Sequence, residues 1–192
     1  MSDVFHVLKV DHEAIEAVLR RLEAARPPAD ADPRWRRARE RLVERVIIEE
    51  TKHETVEEEY FWPAVREHVA GGDALADEAI AQEQHVKGIL SELDGLDAGD
   101  DRFEELLAGF IRQARAHIAF EETRVWPPLR RALTGTRAAK LGTALMKGKT
   151  LSPTHPDPGI APEPGILKAS GALTAAADRL RDAATGRGKD LG

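Results

Sequence analysis

The stretch that decides the fold is HETVEEEYFWP at residues 53–63, which returns later in the chain as HIAFEETRVWP at residues 117–127. The two copies agree in register at the histidine, at two consecutive glutamates, and at the final tryptophan and proline. In a helix, a histidine and a glutamate four residues apart lie on one face about 6 Å apart along the axis. An imidazole nitrogen and a carboxylate can therefore converge on one ion. The repeat predicts two matched metal half-sites, His53 with Glu57 and His117 with Glu121.

Four segments with helical periodicity contain or flank this repeat. Their apolar residues recur at three- and four-residue steps, and no alternating strand pattern is present. The segments run from residue 2 to about 25, from 33 through Pro63, from Gly72 to Leu93, and from Asp101 to Leu133. Short turns join them, so the sequence predicts an all-α, up-down-up-down four-helix bundle. We expect Pro63 to kink the second helix.

Two further histidines, His12 and His85, fall on the predicted inward stripes of the first and third helices. A lone histidine on such a stripe is usually a hydrogen-bonded core residue. Glutamates on inward positions are different, because a buried carboxylate is costly without a compensating cation. Taken together, these residues predict one metal site with six protein ligands: His12, His53, Glu57, His85, His117 and Glu121.

The composition limits which metals fit. The 192 residues include no cysteine, which excludes thiolate zinc sites, iron–sulfur clusters and disulfide scaffolds. Six nitrogen and oxygen ligands with two bridging carboxylates suit a pair of iron or manganese ions roughly 3.5 to 4 Å apart. The ferritin-type pattern requires Glu-x-x-His on two helices, and only Glu50 with His53 matches. The zinc-protease motif also fails, because Glu57 stands where its second histidine belongs.

Charge and hydropathy indicate the surroundings of the protein. The formal net charge of −6 argues against binding to nucleic acid or to anionic membranes. No signal peptide or membrane-spanning apolar run is apparent, so a cytoplasmic location is expected.

Beyond the bundle, the character of the sequence changes. We divide the chain into a four-helix domain at residues 1–133 and a C-terminal extension at residues 134–192. The extension is predicted to contain a short helix from Thr136 to Lys147, a proline-rich linker from Leu151 to Gly165, and a terminal helix packed as a tail from Leu167 to Ala184.

The order of these motifs resembles the hemerythrin-like HHE cation-binding domain over about residues 2–133. The resemblance implies a four-helix bundle around two non-haem iron ions joined by an oxo or hydroxo bridge. It further implies that the two glutamates bridge the irons and that the four histidines are terminal ligands. Oxygen-carrying hemerythrins have a second third-helix histidine, whereas Ala81 and Ile89 lie four residues on either side of His85. They also have an aspartate near the fourth-helix histidine, and in this sequence Glu121 takes the role of that aspartate. Reversible oxygen transport is therefore not the expected function.

Two residues near the repeat have open roles. Glu54 is either an additional metal ligand, as in some hemerythrin-like domains with a His-Glu-x-x-Glu string, or a solvated charge at the edge of the helix–helix interface. Tyr60, one turn after Glu57, either donates a hydrogen bond or an electron near the centre or packs in the core.

The expected function is therefore that of a di-iron protein that binds or reduces oxygen species. The small-molecule ligands would be O2, hydrogen peroxide or nitric oxide, and a peroxidase-like, catalase-like or nitric-oxide-handling enzyme is favoured. The alternative is an oxygen, redox or iron sensor or binding module without turnover. A third possibility is a purely structural bundle.

Overall fold

The computed structural model describes residues 2–25, 32–159 and 166–188, with the side chains of the last range described from Thr174 onward. Within these ranges the regular elements are all helical and no strand occurs, which confirms the all-α prediction. No helix in the described part of the chain has the length and apolar character needed to cross a membrane. The elements in chain order are α1 (Val4–Ala24), α2 (Pro33–Val56), π1 (Glu57–Phe61), α3 (Trp62–His68), α4 (Gly72–Leu93), α5 (Phe103–Phe120), π2 (Glu121–Val125), α6 (Trp126–Ala132), α7 (Gly135–Lys149) and α8 (Ile166–Thr185).

The two copies of the sequence repeat form the same local structure. In each copy an α-helix passes into a five-residue π-helical turn and continues as a short α-helix. The Trp62 N–H donates to the carbonyl of Glu57, five residues back, and the Trp126 N–H donates to that of Glu121. A proline follows each tryptophan, and proline has no N–H to continue the α-helical ladder. Where the sequence predicts a kink at Pro63, the structure has a wider turn just before the proline.

The long helices pack α1 against α2 and α4 against α5, with further contacts from α2 to α4 and from α1 to α5. Their apolar faces form two separate clusters of buried residues. One cluster includes Leu8, Val56 and Ala79, and the other includes Ile15 and Val86 among its members.

Between the two clusters lies a layer of buried polar side chains, one or more from each long helix. His12 lies between Leu8 and Ile15 along α1, and Glu83 lies between Ala79 and Val86 along α4. The apolar clusters therefore separate this polar layer from water at both ends of the helices.

The helix predicted at the start of the extension is present as α7, and it packs on α1, α2 and π1. Ala138 and Leu145 of α7 belong to the same buried cluster as residues of α1 and α3. Gly142 permits the close approach, because a Cβ at this position would lie 2.7 Å from the Ser2 carbonyl oxygen. The apolar core of the helical domain therefore includes α7.

Polar contacts fasten the rest of the extension. His155 lies between two carboxylates, with Nδ1 2.6 Å from Asp94 Oδ2 and Nε2 3.2 Å from Asp182 Oδ1. On the described part of α8 the buried residues are Ala175 and Asp178, whereas Leu180 is 76% exposed. Residues 160–165 of the predicted linker lie outside the described residues.

Candidate metal centre

Two overlapping groups of buried ligand atoms lie within the polar layer. The first consists of His12, His53, Glu57 and Glu121, and the second of Glu57, Glu83, His117 and Glu121. Within each group the ligand atoms lie no more than 4.8 Å from one another. Glu57 and Glu121 belong to both groups, which is the arrangement expected of carboxylates that bridge two ions.

Helix geometry and helix packing both contribute to this convergence. Within the repeat, His53 Nε2 is 3.2 Å from Glu57 Oε2, and His117 Nε2 is 3.5 Å from Glu121 Oε1. These are the four-residue pairs predicted from the sequence. Packing of α1 brings His12 Nε2 to 2.9 Å from Glu121 Oε2, and packing of α4 brings Glu83 Oε1 to 3.7 Å from His117 Nε2.

Ligand atoms of these residues are buried and, although several lie close to one another, none of those named below forms a hydrogen bond of acceptable geometry in the described part of the chain. Buried polar atoms are normally paired, and each unpaired one costs about 1 to 3 kcal/mol, with charged groups costing more. Such a concentration of unpaired acceptors is the condition that a cation relieves. The atoms are the Nε2 atoms of His12, His53 and His117, both carboxylate oxygens of Glu57 and of Glu121, and Oε2 of Glu83.

The protonation equilibria show the same need for positive charge. Burial raises the pKa of Glu57 well above its usual range, and the charge of Glu121 raises it further. Burial raises the pKa of Glu83 in the same way, with other carboxylates adding to the effect. Burial also lowers the pKa of His117 to about 4, so this imidazole is neutral at pH 7 and able to bind a metal. A cation among these atoms would favour the ionised carboxylates.

The outer nitrogen of each of the three histidines faces an acceptor oxygen. His12 Nδ1 is 2.9 Å from Glu122 Oε1, His117 Nδ1 is 3.1 Å from Gln82 Oε1, and His53 Nδ1 is 3.5 Å from Asp11 Oδ2. The hydrogen bonds of His12 and His117 place the proton on the outer nitrogen and leave Nε2 free as a ligand. At His53 the acceptor lies nearby, but the two atoms do not form a hydrogen bond.

The two tryptophans of the repeat both contact the polar layer. The Trp62 Nε1–H donates to Glu83 Oε1 at 2.6 Å, which leaves Oε2 of that carboxylate free. The Trp126 ring stacks on His12, with a centroid distance of 5.1 Å and an interplanar angle of 15°.

The structure differs from the sequence prediction at His85. This residue is exposed and belongs to neither ligand group, so its predicted position on the inward stripe is wrong. The inward face of α4 carries Ala76, Ala79, Glu83, Val86 and Leu90 instead. Glu83 therefore occupies the third-helix position in the ligand groups.

Glu54 and Tyr60 also lie outside both groups. Glu54 is only 1% exposed, so it is not the solvated charge that was one alternative. Its Oε2 lies 4.0 Å from Nζ of the buried Lys87, which also donates to Glu58 Oε1 at 2.5 Å. Tyr60 is half-buried and its ring packs against Gly148 of α7.

Two comparisons with known proteins found a match. The family model of the hemerythrin HHE cation-binding domain matches residues 3–129. A crystal structure of a hemerythrin HHE cation-binding domain-containing protein from Mycobacterium kansasii is similar in fold, with a TM-score of 0.63 and 22% sequence identity. The alignment covers 78% of this chain and 86% of that one. A search of curated proteins found no match.

Proposed function

Since the chain belongs to the hemerythrin HHE cation-binding domain family, we propose that it holds two iron ions in its polar layer and acts on small oxygen species. The observation that carries this proposal is the set of unpaired ligand atoms on His12, His53, His117, Glu57, Glu83 and Glu121. Imidazole and carboxylate ligands without sulfur suit iron, whereas structural zinc usually takes a closed set of four ligands.

The two halves of the proposed centre are unequal. One ion would receive two histidines and two carboxylates, and the other would receive one histidine, His117, and three carboxylates. In this assignment Glu57 and Glu121 bridge the ions and Glu83 is a terminal ligand. The carboxylate-rich half would carry more negative charge and favour the harder or more highly charged ion.

Iron bound here would supply redox chemistry by cycling between two oxidation states. Disproportionation of hydrogen peroxide would need no other reductant, whereas continued reduction of O2 or nitric oxide would take electrons from an external donor. The protein's own contribution is to hold the ligands and to exclude water. The outer contacts of the histidines keep Nε2 directed at the metal, and the apolar clusters on both sides keep reactive species from bulk solvent. The same helices would complete the antiparallel four-helix bundle that the sequence predicts.

Metal analysis of the full chain, expressed in iron-replete cells, tests the proposal. We expect two irons per chain in the wild-type protein and turnover of hydrogen peroxide by the loaded form. Glu57→Gln should weaken both irons together, because a neutral amide neither bridges well nor offsets two cations.

A matched pair of variants on α4 tests the assignment of Glu83. Glu83→Ala should lower the content of one iron, whereas His85→Ala, two residues away on the exposed face, should retain both. One zinc and no iron in the wild-type protein would refute the di-iron proposal. Two irons without turnover of any oxygen species would favour the sensor or binding module over the enzyme.

A further inference from the structure

The last residue of α7 contacts a side chain that borders the candidate metal centre, and α7 lies outside the region that the family model matches. That match ends at residue 129, and α7 begins at Gly135. Lys149 Nζ forms a short ion pair with Oδ1 of Asp11 on α1. The other oxygen of the same carboxylate, Oδ2, lies 3.5 Å from His53 Nδ1. A chain of three side chains thus connects the extension to a proposed ligand.

This contact is fixed by the packing of α7 along its length. Near its middle, Gly142 lies against the backbone of residues 2–4, and near its end Gly148 lies under the ring of Tyr60. A Cβ on Gly148 would be 2.7 Å from that ring, so the helix end is held close to π1. Lys149 follows directly, which places its ammonium group beside Asp11.

Asp11 has a free acceptor only on the side that faces the centre. Its Oδ2 is buried and has no hydrogen-bond partner in the described part of the chain, and the same is true of His53 Nδ1. With Oδ1 occupied by Lys149, the carboxylate is oriented so that Oδ2 can accept a proton-bearing Nδ1. That orientation leaves His53 Nε2 as the ligand atom.

We infer that α7 is a working part of the metal centre, in which Lys149 positions Asp11 and Asp11 orients His53 toward the metal. The inference rests on the proposed function, because it assigns these residues a role in holding iron. Lys149 and Asp11 are not ligands themselves; they are positioning residues for His53.

The arrangement at the other histidines predicts which ion is affected. His12 has a similar support from within the domain, since Lys9 Nζ lies 3.0 Å from Oε1 of Glu122, the partner of His12. His117 is supported by the neutral Gln82 instead. The Lys149–Asp11 contact leads to a ligand of the histidine-rich half of the centre, so loss of this contact should weaken one ion and spare the other.

The test measures Co²⁺ binding to the full chain by competition with a chelator, together with the visible ligand-field spectrum at saturation. We expect Asp11→Asn to lower the affinity for one of two Co²⁺ ions roughly 10-fold and to change the spectrum of the saturated protein. Lys149→Met should lower the affinity for the same Co²⁺ ion by a smaller factor, and Lys149→Arg, which keeps the positive charge, should retain wild-type affinity.

Controls come from exposed residues on the same two helices. Lys147→Met on α7 and Glu13→Gln on α1 should bind both ions with wild-type affinity. Melting curves of the metal-free variants identify any general loss of folding, while the spectrum at saturation reports the ligand geometry itself.

The outcomes separate this inference from the proposal on which it rests. If wild-type protein binds two ions and Asp11→Asn and Lys149→Met do so with unchanged affinity and spectrum, the role of α7 is refuted and the proposed function stands. If wild-type protein binds no metal, both are refuted.

Discussion

Replacing Glu50 by glutamine should make the metal-free protein more stable at alkaline pH. Glu50 lies on α2 one turn before the ligand pair, is 4% exposed, and has an Oε1 without a hydrogen-bond partner among the described residues. Burial raises the pKa of Glu50 to about 8, with Glu121 and Asp11 adding to the effect and His12 opposing it. The unfolded chain should ionise this carboxyl near its ordinary pKa of 4.5.

The sign and size of the effect follow from these two values. Below pH 4.5 the Glu50 carboxyl is protonated in both the folded and the unfolded protein, so its ionisation does not lower the free energy of unfolding. As the pH rises toward 8, only the unfolded state releases the proton, and the free energy of unfolding falls by about 1.4 kcal/mol per pH unit. The metal-free protein therefore loses on the order of 5 kcal/mol from this residue between pH 4.5 and pH 8.

Glutamine keeps the shape of the side chain and removes the ionisation. Its buried amide costs about 1 to 3 kcal/mol if it is unpaired, independently of pH. Glu50→Gln should therefore be less stable than the wild-type protein near pH 5 and more stable by about 2 to 4 kcal/mol at pH 8.

Urea unfolding of the metal-free proteins from pH 5 to pH 8.5 measures this difference. Glu49→Gln, at the adjacent half-buried position, is the matched control and should follow the wild-type pH dependence. A stability difference between Glu50→Gln and wild type that stays constant within about 1 kcal/mol across this range would refute the reasoning.

Two further predictions concern the surroundings of the centre. Trp62→Phe removes the donor to Glu83 Oε1, so we expect about 10-fold weaker retention of one iron. Iron content after dialysis against a chelator measures this, and unchanged retention would show that the indole N–H is not needed. His155→Ala removes the contacts to Asp94 and Asp182, so limited proteolysis should cleave the C-terminal segment faster while the iron content stays unchanged. A loss of iron would contradict the separation of these polar contacts from the metal centre.

The repeat allowed the central part of the site to be predicted from the sequence. His53 with Glu57 and His117 with Glu121 converge because four-residue spacing is a property of any α-helix, independent of tertiary packing. His12 was also placed on the correct face, since the apolar stripe of α1 is continuous on both sides of it.

Glu83 is the one member of the ligand groups that the sequence pattern does not identify. The buried face of α4 includes both Glu83 and Lys87, whereas the predicted stripe of the third helix runs through His85, two residues further along. The regular spacing of Ala76, Ala79 and Val86 was the signal available, since it continues through position 83 in three- and four-residue steps. Burial of charge is stabilised by partners on other helices, which a single segment does not reveal.

The local sequence pattern does not predict how α7 packs. Its apolar residues are few, and its contact with α1 depends on the absence of a side chain at Gly142. A glycine in a helix ordinarily indicates weaker helix propensity. Here it marks a close approach between two backbones.

The π-helical turns fix the spacing between glutamate and tryptophan in both copies of the repeat. Five residues along an α-helix correspond to a rotation of about 140° beyond one full turn, which would direct the tryptophan away from the glutamate's face. A turn closed by a hydrogen bond from the fifth residue places the two nearly one above the other. This explains why Trp62 and Trp126 both cover the centre. Deleting one residue would leave the glutamate and the tryptophan four residues apart, a spacing that a regular α-helix also places on one face. The π-helical turn therefore absorbs one extra residue of chain without moving the tryptophan away from the centre, so what this segment preserves is the facing of the two side chains and not the number of residues between them.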